Sequence, residues 1–154
     1  LPIWYADCTG TLSITVSSAD YACCSVSITT STTLYATFSG LVDVTCSGMS
    51  ICASYYNGLS IAMTWDVPNN SWIGTDVFVC GSGVSMEMIV GLQCNGGVLE
   101  IAWRILATSG STITAYQGDQ FGAATTCNPF DMTTTETLTA CDGSSQTITI
   151  HVTQ

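Results

Sequence analysis

Apolar and polar residues alternate with a period of two along most of the chain, and no segment shows the period of an amphipathic helix. The alternating segments are rich in Thr, Val, Ile and aromatic residues and are bounded by Gly, Asn, Asp and Ser, as β-strands are. They cover residues 11–17, 25–30, 34–38, 59–66, 72–80, 84–94, 98–107, 112–116, 131–139 and 146–153. About eight to ten short strands in one domain predict an all-β fold, an antiparallel β-sandwich or jelly roll.

One β-hairpin can be predicted together with its register. Residues 94–97 read Cys-Asn-Gly-Gly, and Asn-Gly is the strongest signal for a two-residue type I′ turn. With Asn-Gly as the loop, the facing pairs on one side of the hairpin are all apolar: Leu92 with Leu99, Val90 with Ile101, Met88 with Trp103, and Met86 with Ile105. The other side places Glu87 opposite Arg104, the only basic residue of the chain. We therefore predict that the apolar side belongs to the core.

Two further turns connect predicted strands. Residues 67–70, which contain Pro68, join the segments 61–65 and 72–75 in a second hairpin. Residues 141–144 read Cys-Asp-Gly-Ser and form the turn before the last strand. In that strand Ile148, Ile150 and Val152 are expected to point into the core.

The chain divides into an N-terminal arm, residues 1–22, and a β-sandwich domain, residues 23–154. An arm with an apolar tip and an alternating segment can add a strand to the sheet of a neighbouring subunit. The alternative is that the segment 11–17 is the first strand of the chain's own sandwich. Contacts with a neighbouring subunit are expected at Leu1, Ile3, Trp4, Tyr5, Leu12, Ile14 and Val16.

The charge balance excludes several classes of partner. Eleven acidic residues and one basic residue give a net charge of −10. Such a chain repels phosphate backbones and anionic lipid surfaces, so we expect no nucleic-acid partner. No apolar run reaches the roughly 20 residues of a membrane-spanning helix, so we expect no membrane span. Only 8% of the residues are charged, and Ser and Thr supply most of the polarity instead.

Nine cysteines in a chain of this length predict an oxidising compartment. We therefore expect a secreted protein, extracellular or at the cell surface. The absence of an initial Met fits either a mature start after signal-peptide cleavage or a cloned fragment. Because nine is odd, one thiol is left free or is cross-linked to another chain, and the sequence leaves the pairing open. The candidates for disulfides or cross-links are Cys8, Cys23, Cys24, Cys46, Cys52, Cys80, Cys94, Cys127 and Cys141.

A series of motifs recurs in a familiar order from residue 23 onward. It comprises residues 33–40 (TLYATFSG), 63–65 (MTW), 71–75 (SWIGT), 92–97 (LQCNGG), 127–130 (CNPF) and 141–143 (CDG). In this order the chain resembles the small, cysteine-rich secreted β domains of planctomycete-type bacteria, over roughly residues 23–154. The resemblance implies a secreted compartment and an all-β fold, and it implies no activity.

Candidate catalytic residues are sparse, and we predict that the protein is not an enzyme. His151 is the only histidine, it lies on the polar side of the last strand, and no Ser lies in a GxSxG motif. Glu87 and Glu100 share a side of the predicted hairpin but lie roughly 14 Å apart, too far for a glycosidase pair. No CxxC pair or DxDxDG loop is present, so we expect no cofactor and leave calcium, which prefers oxygen ligands, as the one open metal.

Sugar contacts and glycosylation have their own candidates. Tyr55, Tyr56 and Trp72 lie near turns, where exposed rings could stack on a saccharide. Two adjacent tyrosines cannot both face a core, although packing at a sheet edge explains their presence equally well. Asn69 begins an Asn-x-Ser sequon in a predicted turn.

Sparse charge, many cysteines in an odd number and an apolar arm together favour a non-enzymatic extracellular structural subunit. We expect copies of the chain to self-assemble into a filament, a pilus-like fibre or a surface layer. The alternative is a secreted carbohydrate-binding module for cell-surface adhesion, with glycans as its partners.

Overall fold

A computed structural model of the chain describes residues 11–14, 26–29, 32–95, 98–122, 124–127 and 130–154. These residues form an all-β, antiparallel, sandwich-like fold with two short 3₁₀ helices, Ala53–Tyr56 and Val67–Asn69, and no α-helix. The predicted fold class is therefore confirmed. The strands are β1 (Thr11–Ile14), β2 (Val26–Thr29), β3 (Leu34–Ser39), β4 (Val44–Cys46), β5 (Met49–Ile51), β6 (Ser60–Asp66), β7 (Ser71–Val79), β8 (Ser85–Asn95), β9 (Val98–Ser109), β10 (Ser111–Phe121), β11 (Ala124–Cys127), β12 (Phe130–Thr139) and β13 (Ser145–Thr153).

Nine of these strands form one antiparallel sheet in the order β10-β9-β8-β7-β6-β3-β13-β12-β11. The sheet folds over at β6, whose first half pairs with β3 and whose last three residues pair with β7. One half of the sandwich therefore contains β7 to β10, and the other contains β3 and β11 to β13. At the far side β10 contacts β12, so the sheet nearly closes on itself.

The core lies between the two halves and comes from the alternating positions that the sequence predicts. Ile148, Ile150 and Val152 are fully buried, and Phe38 packs edge-on against Trp103 with ring centroids 5.0 Å apart. Burying each large apolar side chain contributes about 1.5–3 kcal/mol. The core face of the β8–β9 hairpin is also confirmed, with Met86, Met88, Val90, Leu92, Leu99, Ile101, Trp103 and Ile105 all buried.

The register of the β8–β9 hairpin differs from the prediction by two residues. Asn95 pairs with Val98, so residues 96 and 97, which lie outside the described residues, separate the last pair. A shift of two keeps every side chain on its own side of the sheet, and Gly-Gly suits a tight hairpin loop as well as Asn-Gly does. The shift places Arg104 opposite Ile89 and Glu87 opposite Leu106, and no ion pair joins Glu87 to Arg104.

The other two turns form as predicted. Trp65 pairs with Trp72 in the hairpin β6–β7, and the helix Val67–Asn69 makes the connection. In the turn before β13, the amide of Gly143 donates to the carbonyl of Ala140 at 2.9 Å. The alternation does not predict β4, β5 and β11, which are only three or four residues long.

Two disulfides attach the small β4–β5 hairpin to one end of the sandwich. Cys46 bonds Cys141, in the turn after β12, and Cys52 bonds Cys80, in the turn after β7. The hydroxyl of Ser82 also donates to the carbonyl of Ser50 at 2.8 Å. The hairpin thus joins the two halves of the sandwich covalently.

The N-terminal strands form a separate ribbon, because β1 pairs with β2 and neither pairs with the nine-stranded sheet. Pairing therefore links the segment 11–14, assigned above to the arm, with a strand that lies beyond residue 22. Leu1, Ile3, Trp4, Tyr5, Val16, Cys8, Cys23 and Cys24 lie outside the described residues, and the division at residue 22 stays a prediction.

Candidate functional site

The two outer faces of the sandwich have different chemistry, and the outer face of β3, β13 and β12 is made largely of hydroxyl groups. Thr135 lies opposite Thr149 and their hydroxyls are 3.0 Å apart, while the Thr137 and Thr147 hydroxyls are 3.2 Å apart. We call this surface the hydroxyl face. Its hydroxyl-bearing members are Thr37, Ser39, Thr133, Thr135, Thr137, Thr139, Ser145, Thr147, Thr149 and Thr153.

One corner of the hydroxyl face carries an aromatic ring, a carboxylate and an imidazole. His151 Nε2 lies 2.7 Å from Asp131 Oδ1, and these side chains are 47% and 46% exposed. Tyr35, 41% exposed, lies opposite Thr153, which lies opposite Asp131 on its other side. We call Tyr35, Asp131 and His151 the Tyr35 corner.

The outer face of β7, β8 and β9 carries a set of apolar side chains, Ile73, Val77, Val79, Ile89, Ala102 and Leu106, among polar and charged ones. Val77 and Val79 are 63% and 58% exposed there, on the part of β7 that pairs with β8 and lies beyond the pairing with β6. Between them and the β6–β7 turn lies a groove of about 350 Å³, which exists because Gly91 and Ala102 leave the sheet surface almost bare. Arg104 and Asp119 lie at its rim. We call this surface the apolar face.

A hydrogen-bonded series of carboxyl, amide and hydroxyl side chains lies at one end of the apolar face. Glu100 is only 6% exposed and accepts a 2.6 Å hydrogen bond from Gln93 Nε2, and Ser71 Oγ lies 3.1 Å from Gln93 Oε1. Burial, a hydrogen bond with the Glu100 carboxyl, and repulsion from Glu100 and Glu136 raise the pKa of Asp119 to about 6. A hydrogen bond between two carboxyl groups requires that one of them carries a proton.

Glu136 points inward from β12 and bridges the place where β10 and β12 touch without pairing. Its Oε1 accepts a 3.0 Å hydrogen bond from the indole of Trp103, and its Oε2 accepts one of 3.2 Å from Gln120 Nε2. Gly118 leaves the space that the carboxylate occupies. Glu136 therefore fastens the near-closed side of the sandwich.

The structure corrects two of the three sugar-stacking candidates. Trp72 and Tyr56 are fully buried, and their polar atoms bond to carbonyls of the chain itself, Thr32 at 2.9 Å and Asp76 at 3.0 Å. Trp72 is buried because it lies at an inward-facing position of β7, and Tyr56 because the 3₁₀ turn directs it inward. Neither ring can offer a face to a ligand.

Tyr55 is 37% exposed, but one side of its ring stacks on Phe78 with centroids 3.6 Å apart.

The hydroxyl of Tyr56 stays protonated and acts as a hydrogen-bond donor. Burial, followed by the nearby Asp76 carboxylate, raises the pKa of Tyr56. The buried Oδ2 of Asp76 has no hydrogen-bond partner within the described part of the chain.

Of the remaining candidates, Asn69 is exposed and its side-chain amide donates to Asp66. Its carbonyl accepts a 2.8 Å hydrogen bond from the Ser71 hydroxyl of the same sequon. Leu12 and Ile14 lie in β1, Cys94 near the end of β8 and Cys127 at the end of β11.

The alternation does not indicate Asp119 or the Tyr35 corner. Asp119 was missed because a bulge between Thr114 and Tyr116 places Ala115 and Tyr116 both inward, so the alternation stops before β10 does. Tyr35 could have been assigned an outward position, but its neighbours are set by the pairing of β3 with β13, which no turn signals.

Within the described residues, no group of three or more His, Cys, Asp or Glu side chains is arranged to hold a metal ion. In the same residues no helix has the length and apolar character that crossing a membrane requires. Comparison with family models, curated proteins and solved structures finds no match to this chain. The resemblance to cysteine-rich secreted domains thus stays a prediction that rests on the order of the motifs.

Proposed function

We propose that the chain is a non-enzymatic, extracellular structural subunit, copies of which assemble into a filament, a pilus-like fibre or a surface layer. The observation that carries this proposal is the apolar face. Val77 and Val79 are exposed there beside an open groove, and burying such apolar side chains in a protein contact removes them from water, which is favourable. Two disulfides at one end of the sandwich are compatible with an extracellular location.

A second copy of the chain is the partner that fits this face best. Arg104 is the only basic residue in a chain of net charge −10, and it lies on the apolar face with Glu87. When the same face of two copies meets, Arg104 of one copy can lie against Glu87 of the other, because within one copy Arg104 has Ile89 as its direct partner and Glu87 has Leu106. A different acidic protein could form an ion pair with this face only through Arg104, whereas two identical faces can form the Arg104–Glu87 contact twice.

The N-terminal arm supplies a second contact in the same proposal. A growing polymer needs two different surfaces, because a contact between two identical faces closes after two copies. Strand addition by residues 1–22 would provide the open, head-to-tail contact. Because β1 pairs with β2 (Val26–Thr29), the donated unit in this proposal is the two-stranded ribbon, which extends the arm beyond residue 22.

Electron microscopy and sedimentation velocity of the untagged chain test this proposal. Wild-type protein should form regular polymers, and Val77→Glu should reduce them to smaller species, because it adds a carboxylate to an already acidic contact. Thr139→Glu is the matched control, since it adds the same charge on the hydroxyl face and should leave assembly intact. Dispersed monomers of the wild-type chain would overturn the proposal, as would polymers of Val77→Glu as long as those of the wild type.

Deleting residues 1–20 separates the two contacts. Pairs of subunits should then remain, joined through the apolar face, while longer polymers should be lost. Unchanged polymers after the deletion would overturn the arm as the head-to-tail contact, because the apolar face alone closes after two copies and a different second surface would then be required.

A further inference from the structure

Two exposed aromatic side chains in the described part of the chain have rings without an aromatic partner, Tyr35 and Phe121. Tyr55, the other exposed aromatic residue, stacks on Phe78. Tyr35 is 41% exposed, and its hydroxyl makes no hydrogen bond within the described residues. A large ring held outward on an interior strand, with no aromatic or hydrogen-bond partner in the described part of the chain, is available to a ligand.

The surroundings of Tyr35 are polar, and a contact between two side chains orders part of them. The His151–Asp131 pair holds two side chains in fixed positions, with an N···O distance of 2.7 Å. Thr37 lies opposite His151 and Thr153 lies opposite Tyr35, so hydroxyl groups fill the spaces between the larger side chains. Because neighbouring strands are about 4.8 Å apart, Tyr35 and Asp131 lie roughly 10 Å apart across the central strand β13.

We propose that the Tyr35 corner binds a neutral saccharide. In this arrangement the C–H face of one sugar ring packs on the Tyr35 ring and lies over Thr153. The sugar's hydroxyl groups donate to the Asp131 carboxylate and exchange hydrogen bonds with His151, which fixes the orientation of the ring. The neighbouring Thr37 and Thr133 hydroxyls are placed to contact the next sugar along the chain of a polysaccharide.

Charge selects the class of saccharide. A chain of net charge −10 repels uronic acids and sulfated sugars. Within the hydroxyl face the ionisable groups of the corner are one acid and one imidazole beside it, so no uncompensated positive charge is present to hold an anion. A neutral polysaccharide is not repelled by the net charge and needs no positive charge to hold it. Its many hydroxyl groups match the donors and acceptors of the threonines.

The site is independent of the proposed self-assembly. The Tyr35 corner and the apolar face lie on opposite outer faces of the sandwich, in different halves of the sheet. A single dispersed copy should therefore bind the saccharide, and a polymer should display one such site per subunit. Failure of one proposal leaves the other unaffected.

The test is affinity electrophoresis in gels containing mannan, starch, laminarin or galactomannan, with pull-down on cellulose and chitin. At least one of these neutral polysaccharides should bind the wild-type chain. Tyr35→Ala should weaken that binding at least tenfold and Asp131→Ala severalfold, while Tyr35→Phe, which keeps the ring, should stay within about threefold. Phe121→Ala is the matched control, because Phe121 is 52% exposed but lies on the other outer face, and it should bind as the wild type does.

A second readout keeps the test valid if a variant folds poorly. His151 is the only histidine, so its imidazole gives one set of NMR signals that report on this corner alone. Adding the bound polysaccharide, or oligosaccharides cut from it, should shift those signals in the wild-type protein. Absence of binding to every probe, unchanged His151 signals, or equal binding by Tyr35→Ala and the wild type would overturn the proposal.

Discussion

Gly74 lies where the two halves of the sandwich cross. A Cβ at this position would lie 2.6 Å from the carbonyl oxygen of Ala62 and 2.9 Å from Cγ of Met63, both on β6. The carbonyl belongs to the backbone of a paired strand and cannot rotate away. The strand switch at β6 therefore depends on a residue without a side chain.

Replacing Gly74 by Ala should lower the free energy of unfolding by about 1–3 kcal/mol, because β6 must shift to make room. Gly91→Ala is the control, since its Cβ would meet nothing closer than 3.7 Å. That variant should be neutral or stabilising by up to about 1 kcal/mol. Urea unfolding of both variants measures the difference, and equal losses would show that the crossing is not tight.

Asp119 predicts a pH dependence of stability with an unusual sign. Its pKa rises from 3.8 to about 6 on folding, so the folded protein holds a proton that the unfolded chain releases at lower pH. The stability it contributes is present at low pH and is lost as the pH rises through about 4 to 6. Asp119→Asn should make the urea midpoint of unfolding less dependent on pH over that range, and it should raise the midpoint near neutral pH.

Asp142 provides the control for this experiment. Hydrogen bonds from the hydroxyl and the amide of Ser144 lower the pKa of Asp142. The contribution of Asp142 to stability is therefore lost only as the pH falls below the usual carboxylate range. Asp142→Asn should therefore leave the profile above about pH 4 unchanged. A profile of Asp119→Asn that matches the wild type would contradict the shared proton.

At the scale of strands, alternation predicted the faces of β8, β9 and β13 but not the register of the hairpin. The faces depend only on whether a position is odd or even, and burial of Met88 or Ile150 follows from that alone. The register depends on which two residues turn, and a shift of two leaves the buried set unchanged. The hydrogen bond between Gln93 and Glu100 belongs to the observed register, in which these residues pair directly.

The candidate site was less predictable than the fold because it depends on pairing between distant strands. Tyr35, Asp131 and His151 come from β3, β12 and β13, and nothing local places these strands side by side. Trp72 was assigned to the surface from its closeness to a turn, although the alternation of β7 already indicated an inward position. Periodicity was therefore the better guide for Trp72.

The two disulfides should differ in their contribution to stability. In the chain-entropy model a cross-link is worth more when it closes a longer loop, and the loops span 95 residues for Cys46–Cys141 and 28 for Cys52–Cys80. Replacing the first pair by Ala should cost about 4–5 kcal/mol and replacing the second about 3–4 kcal/mol. Urea unfolding of the two double variants tests this, and a larger loss for the shorter loop would contradict it.

At the scale of the whole molecule, a net charge of −10 opposes the proposed contact between copies. Salt shortens the range of this repulsion from about 30 Å at 0.01 M to about 8 Å at 0.15 M. Raising NaCl over that range should therefore increase the average size of the assemblies in sedimentation velocity. Assemblies that dissociate into smaller species as salt is added would show that attraction between charges, rather than apolar contact, joins the copies.

The central place of β13 in the sheet has a consequence for the order of folding. β3, early in the chain, takes β13, the last strand, as its neighbour, so the sheet cannot be completed until the final strand is available. Closing so long a stretch of chain costs entropy before any contact repays it, which predicts slow folding. A chain emerging from a ribosome or a secretion channel would therefore keep β3 unpaired on that side until β13 was released. Loss of the nine residues of β13 would remove an interior strand, between β3 and β12, rather than an edge strand.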